Sequence, residues 1–218
     1  MTRELTRTIA VAALQRCGIT HDRLVRLRGG IVNDVYRAGR VAVARVGLET
    51  DGDDFERAAA VLRQLPRQVK APHLLLIDTN TWARPLLVCS YTPGRPMDRA
   101  WTGWGKATRI AALEQVIAQF EAVHTMRECA GPFVAWRAAR VAKIEGMLDS
   151  LAASDVDREL ATRLASEWRR VGDALPGDDI CVIHGDFNGG NAMFQGGTLS
   201  GLIDFDDVSI APRSLDYW

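Results

Sequence analysis

No stretch of this 218-residue chain is apolar for long. A helix that crosses a bilayer needs about eighteen or more consecutive apolar residues; none occurs, so no membrane span is expected. Near the N-terminus the apolar run is Ile9 to Leu14, six residues before Gln15 and Arg16, too short for the core of a signal peptide. Net charge is absent as well, since Lys plus Arg and Asp plus Glu each number 27. Without a net field, neither nucleic acid nor an anionic membrane is an expected partner, and a small molecule is. Cysteine is sparse. Cys17, Cys89, Cys129 and Cys181 lie far apart, with no Cys-x-x-Cys and no Cys/His ligand spacing. That argues against a zinc site and a disulfide framework, and it fits a reduced, cytoplasmic setting. Internal repeats and low-complexity tracts are missing too.

Chemistry is concentrated between residues 180 and 206. Ile180 to Ile183 is an apolar strand that delivers His184-Gly185-Asp186 into a loop rich in glycine, and Asn191 follows Asp186 by five residues. A second strand then closes on Asp204, followed by Phe205 and Asp206. One carboxylate to orient a hydroxyl, with an Asn and an Asp to hold magnesium against a nucleotide's phosphates, suits phosphoryl transfer. A lone Asp186 could equally be a turn residue satisfying its own backbone, and a lone Asn191 likewise. The spacing of the whole set favours catalysis. Asn191 and Asp204 are oxygen ligands suited to a hard cation that keeps several waters. The Gly196-Gly197 turn would fold the two strands into a hairpin and return Asn191 toward Asp204. His184 and His124 read as structural residues, hydrogen-bonded within the fold.

Around this motif the chain divides into residues 1–91, a nucleotide-binding lobe, and 92–218, a helical lobe carrying the catalytic loop and the metal-binding hairpin. In the first, Leu24 to Arg28, Ile31 to Tyr36 and Val41 to Val46 read as short antiparallel strands, with two more at Leu74 to Asp78 and Pro85 to Tyr91. One helix, Asp51 to Leu65, opens on an acidic turn and stops at Pro66. Thr92 to Pro96 reads as a rigid turn or linker. In the second lobe, Ile110, Leu113, Ile117, Phe120 and His124 recur at steps of three and four, which predicts one buried stripe. Val134 to Leu151 and Val156 to Leu175 are further predicted helices, the latter opened by a capping box at Ser154 to Asp157.

These residues together resemble the aminoglycoside phosphotransferase family, which belongs with choline-kinase-like enzymes in the protein-kinase-like fold. The resemblance rests on the motif just described, on Gly29-Gly30-Ile31-Val32-Asn33, on Val43-Ala44-Arg45, on Tyr91-Thr92-Pro93-Gly94 and on Val123-His124. It runs from about Leu24 onward and is most specific in the C-terminal third. It implies an α+β, two-lobed fold with a small antiparallel-sheet lobe and a mainly helical lobe. It also implies Asp186 as catalytic base, Asn191 and Asp204 as magnesium ligands, and ATP or GTP as phosphate donor. Gly29, Gly30 and Asn33 would form the phosphate-covering turn, where small residues let backbone N–H groups approach an anion. Val43 would lie under the base with Arg45 on the same strand face, Ser90 and Tyr91 would lie at the hinge that hydrogen-bonds the base through the backbone, and Asp216 would buttress the catalytic loop.

Two departures from the family pattern stand out. The strand residue that contacts nucleotide phosphates is Lys or Arg in this family and is Arg45 here, which keeps the charge but not the geometry of lysine, and the helix position of its usual Glu partner is Ala58. Glu56, the nearest acid, lies about half a helical turn away. The chain also stops at Trp218, where family members continue with helices that help build the acceptor pocket. On that reading the C-terminal helices are missing, and Tyr217 and Trp218 border an uncovered face through which copies would self-associate.

The resulting expectation is an ATP- or GTP-dependent, magnesium-requiring kinase of a small-molecule hydroxyl, with antibiotics such as aminoglycosides among the acceptors. The alternative is a catalytically weak, nucleotide-binding pseudokinase module. A binuclear phosphoesterase is disfavoured by the supply of ligands, since the sequence has only four histidines.

Overall fold

A computed structural model of the chain describes residues 3–20, 23–27, 32–49, 52–131, 133, 163, 166–167 and 179–217. The first element is a helix the sequence reading missed, α1 (Arg3–Arg16), so the N-terminal part holds two helices and not one. Thr6, Ile9, Ala10, Ala13 and Leu14 are its buried residues, spaced for one helical face. Glu4 in the first turn and Arg16 in the last suit the helix dipole.

Five strands follow the predicted order: β1 (Leu24–Leu27), β2 (Asn33–Ala38), β3 (Ala42–Gly47), β4 (Leu74–Asp78) and β5 (Leu86–Ser90). They form one antiparallel sheet in the order β1-β2-β3-β5-β4. Alternation along β3 and β5 gives the sheet two different faces. Ala42, Ala44, Val46, Leu86 and Val88 pack with Ile9, Ala10 and Leu14 of α1. Leu87 and Cys89, on the opposite face, join the core that includes Phe55, Ala58 and Val61 of α2 (Asp53–Gln64). The α2 helix stops as expected, because Leu65 precedes a proline and turns extended (φ −52°, ψ 136°). Arg16 reaches Asp78 at 2.7 Å and ties the end of α1 to β4.

The segment Thr92–Pro96 is more than a linker. Arg95–Pro96 forms a short strand, β6, that pairs with the later strand Ala192–Gln195. Gly94 (φ 120°) approaches the backbone of Phe194 so closely that any Cβ there would collide with it. A short helix, α3 (Met97–Trp101), and a longer one, α4 (Lys106–Val123), come next. The stripe predicted for α4 is corrected by the structure. Ile110, Leu113 and Ile117 are 47%, 41% and 43% exposed, whereas Ala112, Val116, Phe120 and Val123 are buried. Small side chains at Ala112 and Val116 let the helix approach the strands beneath it. Phe120 and His124 do lie inside, as expected.

The predicted helix Val134 to Leu151 lies outside the described residues. Of Val156 to Leu175 only Arg163, Ser166 and Glu167 are described, and they are helical. The last part holds β7 (Ile180–Ile183), the hairpin β8 (Ala192–Gln195) and β9 (Thr198–Leu202), then β10 (Ser209–Pro212) and a 3-10 turn at Arg213–Tyr217. Strand β7 pairs with β10, and β6-β8-β9 form a third sheet. All four cysteines are unpaired. Among the described residues no helix is long and apolar enough to cross a membrane.

Candidate active site

Strand β7 is anchored by three buried residues, Cys181, Val182 and Ile183, and ends at His184, which is fully buried. Burial pushes the Cys181 thiol up to about 11. Beyond His184 the chain turns over Asp216, 2% exposed, whose carboxylate accepts hydrogen bonds from the backbone N–H groups of His184 and Gly185, both at 2.9 Å. His124, from the end of α4, donates its Nε2–H to the same carboxylate at 2.8 Å. A buried carboxylate is costly without partners, and three donors satisfy this one. His184 donates its own Nε2–H to the Ile203 carbonyl at 3.0 Å. Each Nε2 faces an oxygen that accepts, so it carries a hydrogen, and Nδ1 of both rings has no partner among the described residues. Both are structural, as their surroundings in the sequence suggested.

Gly185 (φ 85°) sits where a Cβ would run into the Asp207 carbonyl, so the residue between His184 and Asp186 has to be glycine. Asp186 therefore emerges above a rigid floor and is exposed. Asn191 Nδ2 donates to the Asp186 carbonyl at 2.8 Å and to its Oδ2 at 3.2 Å, and Asn188 Nδ2 lies 3.4 Å from the same oxygen.

The β8–β9 hairpin turns at Gly196-Gly197, and its register pairs Ala192 with Leu202. Asn191 and Ile203 are thus neighbours, joined by the Ile203 N–H to the Asn191 carbonyl at 2.9 Å. Asp204 follows directly and is the only non-glycine among the described residues with positive φ, 68°. Aspartate tolerates the left-handed region better than most residues, though at a cost, and such strain collects where a side chain must be aimed.

A cleft of about 800 Å³ opens above these groups. Asp186, Asn191, Asp204 and Asp206 line one side of it, while Val35, Val43, Arg45, Leu87 and Tyr91 line the other. Val43 and Arg45 share a strand face, as alternation along β3 requires. Asn33, Ser90, Thr92 and Met193 line the same cleft. The Ser90 N–H is bonded to the His73 carbonyl and the Tyr91 N–H to the Val41 carbonyl, at 2.8 and 2.9 Å. Any contact these two residues make to a base therefore goes through other atoms. Gly29 and Gly30 lie outside the described residues. Asn33 opens β2 and donates Nδ2 to Asp206 at 3.2 Å.

Asp206 was missed as a site residue. Its two oxygens accept from Nη1 and Nη2 of Arg45, the former at 2.8 Å, and Asp204 Oδ1 lies 3.0 Å from Nη2. Glu56 faces elsewhere, accepting from Thr79 Oγ1 at 2.8 Å. Burial opposes the charge on Arg45, but Asp206 and Asp204 outweigh it and raise its pKa, so the guanidinium stays charged. Burial also raises the Asp206 carboxyl against the pull of Arg45. Asp207 is raised by burial and then by the nearby Asp186 charge. The sequence held one signal for this arrangement, the run Asp204-Phe205-Asp206-Asp207, but no local pattern indicates which acid meets β3.

Residues 23–218 match the phosphotransferase enzyme family. An aminoglycoside 3'-phosphotransferase of Escherichia coli is 34% identical over 98 residues, a match that takes in 43% of this chain and 36% of that protein. This segment thus spans about a third of the curated relative. Among solved structures, the gentamicin complex of APH(2")-IIa superposes with a TM-score of 0.79 at 16% identity, covering 100% of this chain and 74% of that one. The ADP-bound aminoglycoside phosphotransferase APH(2'')-Ib gives 0.77 at 16% identity, with coverage of 100% and 74%. The streptomycin–ATP ternary complex of APH(2")-IIa gives 0.77 at 15% identity, with the same coverage.

Proposed function

The chain belongs to the phosphotransferase enzyme family, and from that premise we propose that it moves the terminal phosphate of ATP or GTP to a hydroxyl of a small molecule. The observation that carries this reading is Asp186, an exposed carboxylate on a loop pinned from below by Asp216, at the mouth of a cleft whose opposite wall carries Arg45. Phosphoryl transfer needs little covalent help from a protein and much positioning. An acceptor hydroxyl reaching Asp186 donates a hydrogen bond to its carboxylate, which aims the oxygen at the terminal phosphorus and takes the proton as the new O–P bond forms, while the bond from that phosphorus to the bridging oxygen breaks and the nucleoside diphosphate leaves with the electron pair. Asn188 and Asn191 hold that carboxylate from the side.

Asn191 and Asp204 are the magnesium ligands in this reading. The donor set fits: both offer hard oxygens, and the Asn191 amide turns its nitrogen toward Asp186, which leaves its oxygen as the other face. No group of three or more His, Cys, Asp or Glu suited to a metal occurs among the described residues. Magnesium on a nucleotide needs no such cage, since phosphates and waters complete its shell. The chemistry the metal supplies is neutralisation of phosphate charge. Val43 and Tyr91 line the part of the cleft assigned to the base, and Asn33, at the start of β2, lines the part assigned to the phosphates.

Aminoglycosides are the acceptor class that the relatives suggest, gentamicin and streptomycin being bound by APH(2")-IIa. The pseudokinase alternative finds no support in these relatives, and Asp186, Asn191 and Asp204 are all present. Nucleotide consumption by the chain, measured against a panel of aminoglycosides and other hydroxyl compounds with and without magnesium, tests the proposal. Magnesium-dependent transfer to at least one acceptor is expected; binding of nucleotide without transfer to any would overturn it.

A further inference from the structure

Arg45 projects from β3 into the cleft with only 16% of its side chain exposed. A guanidinium so enclosed needs a fixed counter-charge, and α2 does not supply one. Ala58 faces the cleft, Glu56 is turned to Thr79, and Asp54 is paired with Arg57. The counter-charge comes from the other side of the cleft. Asp206, four residues past the end of β9, meets both terminal nitrogens of Arg45 in a two-point contact. Phe55 of α2 closes the remaining side, its ring centroid 5.5 Å from the guanidinium carbon.

The geometry points to Asp206 as the positioning residue for Arg45: it fixes and orients the guanidinium for a nucleotide's phosphates, while Glu56 and Asp54 of α2 are engaged by Thr79 and Arg57. This inference rests on the phosphotransferase reading, because phosphate contact is the task it assigns to Arg45. A guanidinium has five N–H donors in a rigid fork. The hydrogen bonds to Asp206 use one donor on each terminal nitrogen, and Asp204 lies beside the second on Nη2. Those contacts engage the two terminal nitrogens and leave Nε–H and the other Nη1 hydrogen outside the ion pair, so it does not exhaust the side chain. An ammonium presents no planar fork, and one carboxylate could not fix its orientation this way. The alanine at the usual acid position of α2 and the acid at Asp206 are then two halves of one change.

Asp206 also accepts from Asn33 Nδ2 at 3.2 Å, so a single carboxylate grips β2 and β3 together. A purely structural clasp and a positioning contact predict different losses. The test titrates the full chain with ATP and with adenosine, and with GTP and guanosine in parallel, at several magnesium concentrations. The variants are Asp206→Asn, Arg45→Ala and the pair. Asp206→Asn is expected to weaken triphosphate binding about tenfold, the scale of a lost charge-assisted contact. Nucleoside affinity and half-saturating magnesium should stay as in the parent, while the unfolding midpoint falls because the enclosed guanidinium loses its counter-charge. In the Arg45→Ala background the Asp206 change should cost nothing further, because its beneficiary is gone.

Additive losses in the double variant would overturn the assignment. A changed magnesium requirement would make Asp206 a metal ligand instead, and an equal loss of nucleoside binding would make it a structural clasp. Should Asp206→Asn fold poorly, Asp206→Glu keeps the charge and displaces it by one methylene. Its triphosphate loss must likewise vanish in Arg45→Ala, or the inference fails. A parent chain that binds neither ATP nor GTP would remove the phosphotransferase reading itself and this inference with it.

Discussion

Beneath the loop from His184 to Asn191, Asp216 is enclosed and accepts hydrogen bonds from two backbone N–H groups and His124. Above the same loop, Asp186 is exposed, and among the described residues its carboxylate is approached by the side-chain amides of Asn188 and Asn191. The residue type is the same on both sides. Below, every lone pair that matters is used to fix the shape of the loop. Above, the carboxylate is left open to an incoming group. A loop built this way can hold a reacting oxygen to within a fraction of an ångström, because the rigidity comes from a residue that takes no part in the reaction.

That division can be tested from both sides. On the upper side, Asp204→Ala should abolish the magnesium enhancement of nucleotide binding, read by titration with and without the metal, since the phosphates lose their bridge to protein. Unchanged enhancement would move Asp204 to the structural side. On the lower side, Asp216→Ala strands two backbone N–H groups and His124, and chemical denaturation should show a loss of about 3 kcal/mol or more. A loss below about 1 kcal/mol would mean the floor is not what holds the loop.

A smaller effect belongs to the first sheet. Burial alone would raise the Asp78 carboxyl, but the N–H groups of Thr81 and Asn80 and the Arg16 guanidinium outweigh it and bring it down to about 2. The folded value lies below the unfolded one, so this stabilisation is present above pH ~4 and is lost as pH falls through about 2. Asp78→Asn should therefore cost about 1–2 kcal/mol at neutral pH and nothing near pH ~2, measured as unfolding free energy against pH. The smallest change is expected at Glu56. Its partner is Thr79, so Glu56→Ala should shift triphosphate affinity by less than about 0.5 kcal/mol. A larger shift would show that α2 does take part in phosphate binding.

Much of this was legible in the chain because local rules carried it. The five strands, the stop of α2 at Pro66 and the Gly196-Gly197 hairpin follow from short-range patterns, whereas the placing of Asp216 beneath the loop came from the family resemblance alone. What was not legible has physical causes. Helix α4 carries large apolar residues on more than one side, so period alone could not choose its face; packing chose the side with Ala112 and Val116, where the helix sits closest. Helix α1 buries two alanines and a threonine among its five buried residues, a weak signal at a chain end. The Arg45–Asp206 pair joins residues 161 apart in sequence, and no local spacing encodes it.

Comparing the parent chain with Asp186→Asn on three readouts addresses the proposed chemistry itself: phosphate transfer to the best acceptor of the panel, nucleotide affinity, and unfolding midpoint. The substitution keeps the size of the side chain and removes the charge at the hydroxyl, not at the phosphates. Transfer should fall by about a hundredfold or more, the scale of a lost general base, while nucleotide affinity and unfolding midpoint match the parent. A variant that keeps more than about a tenth of parental transfer would show that Asp186 is not the base.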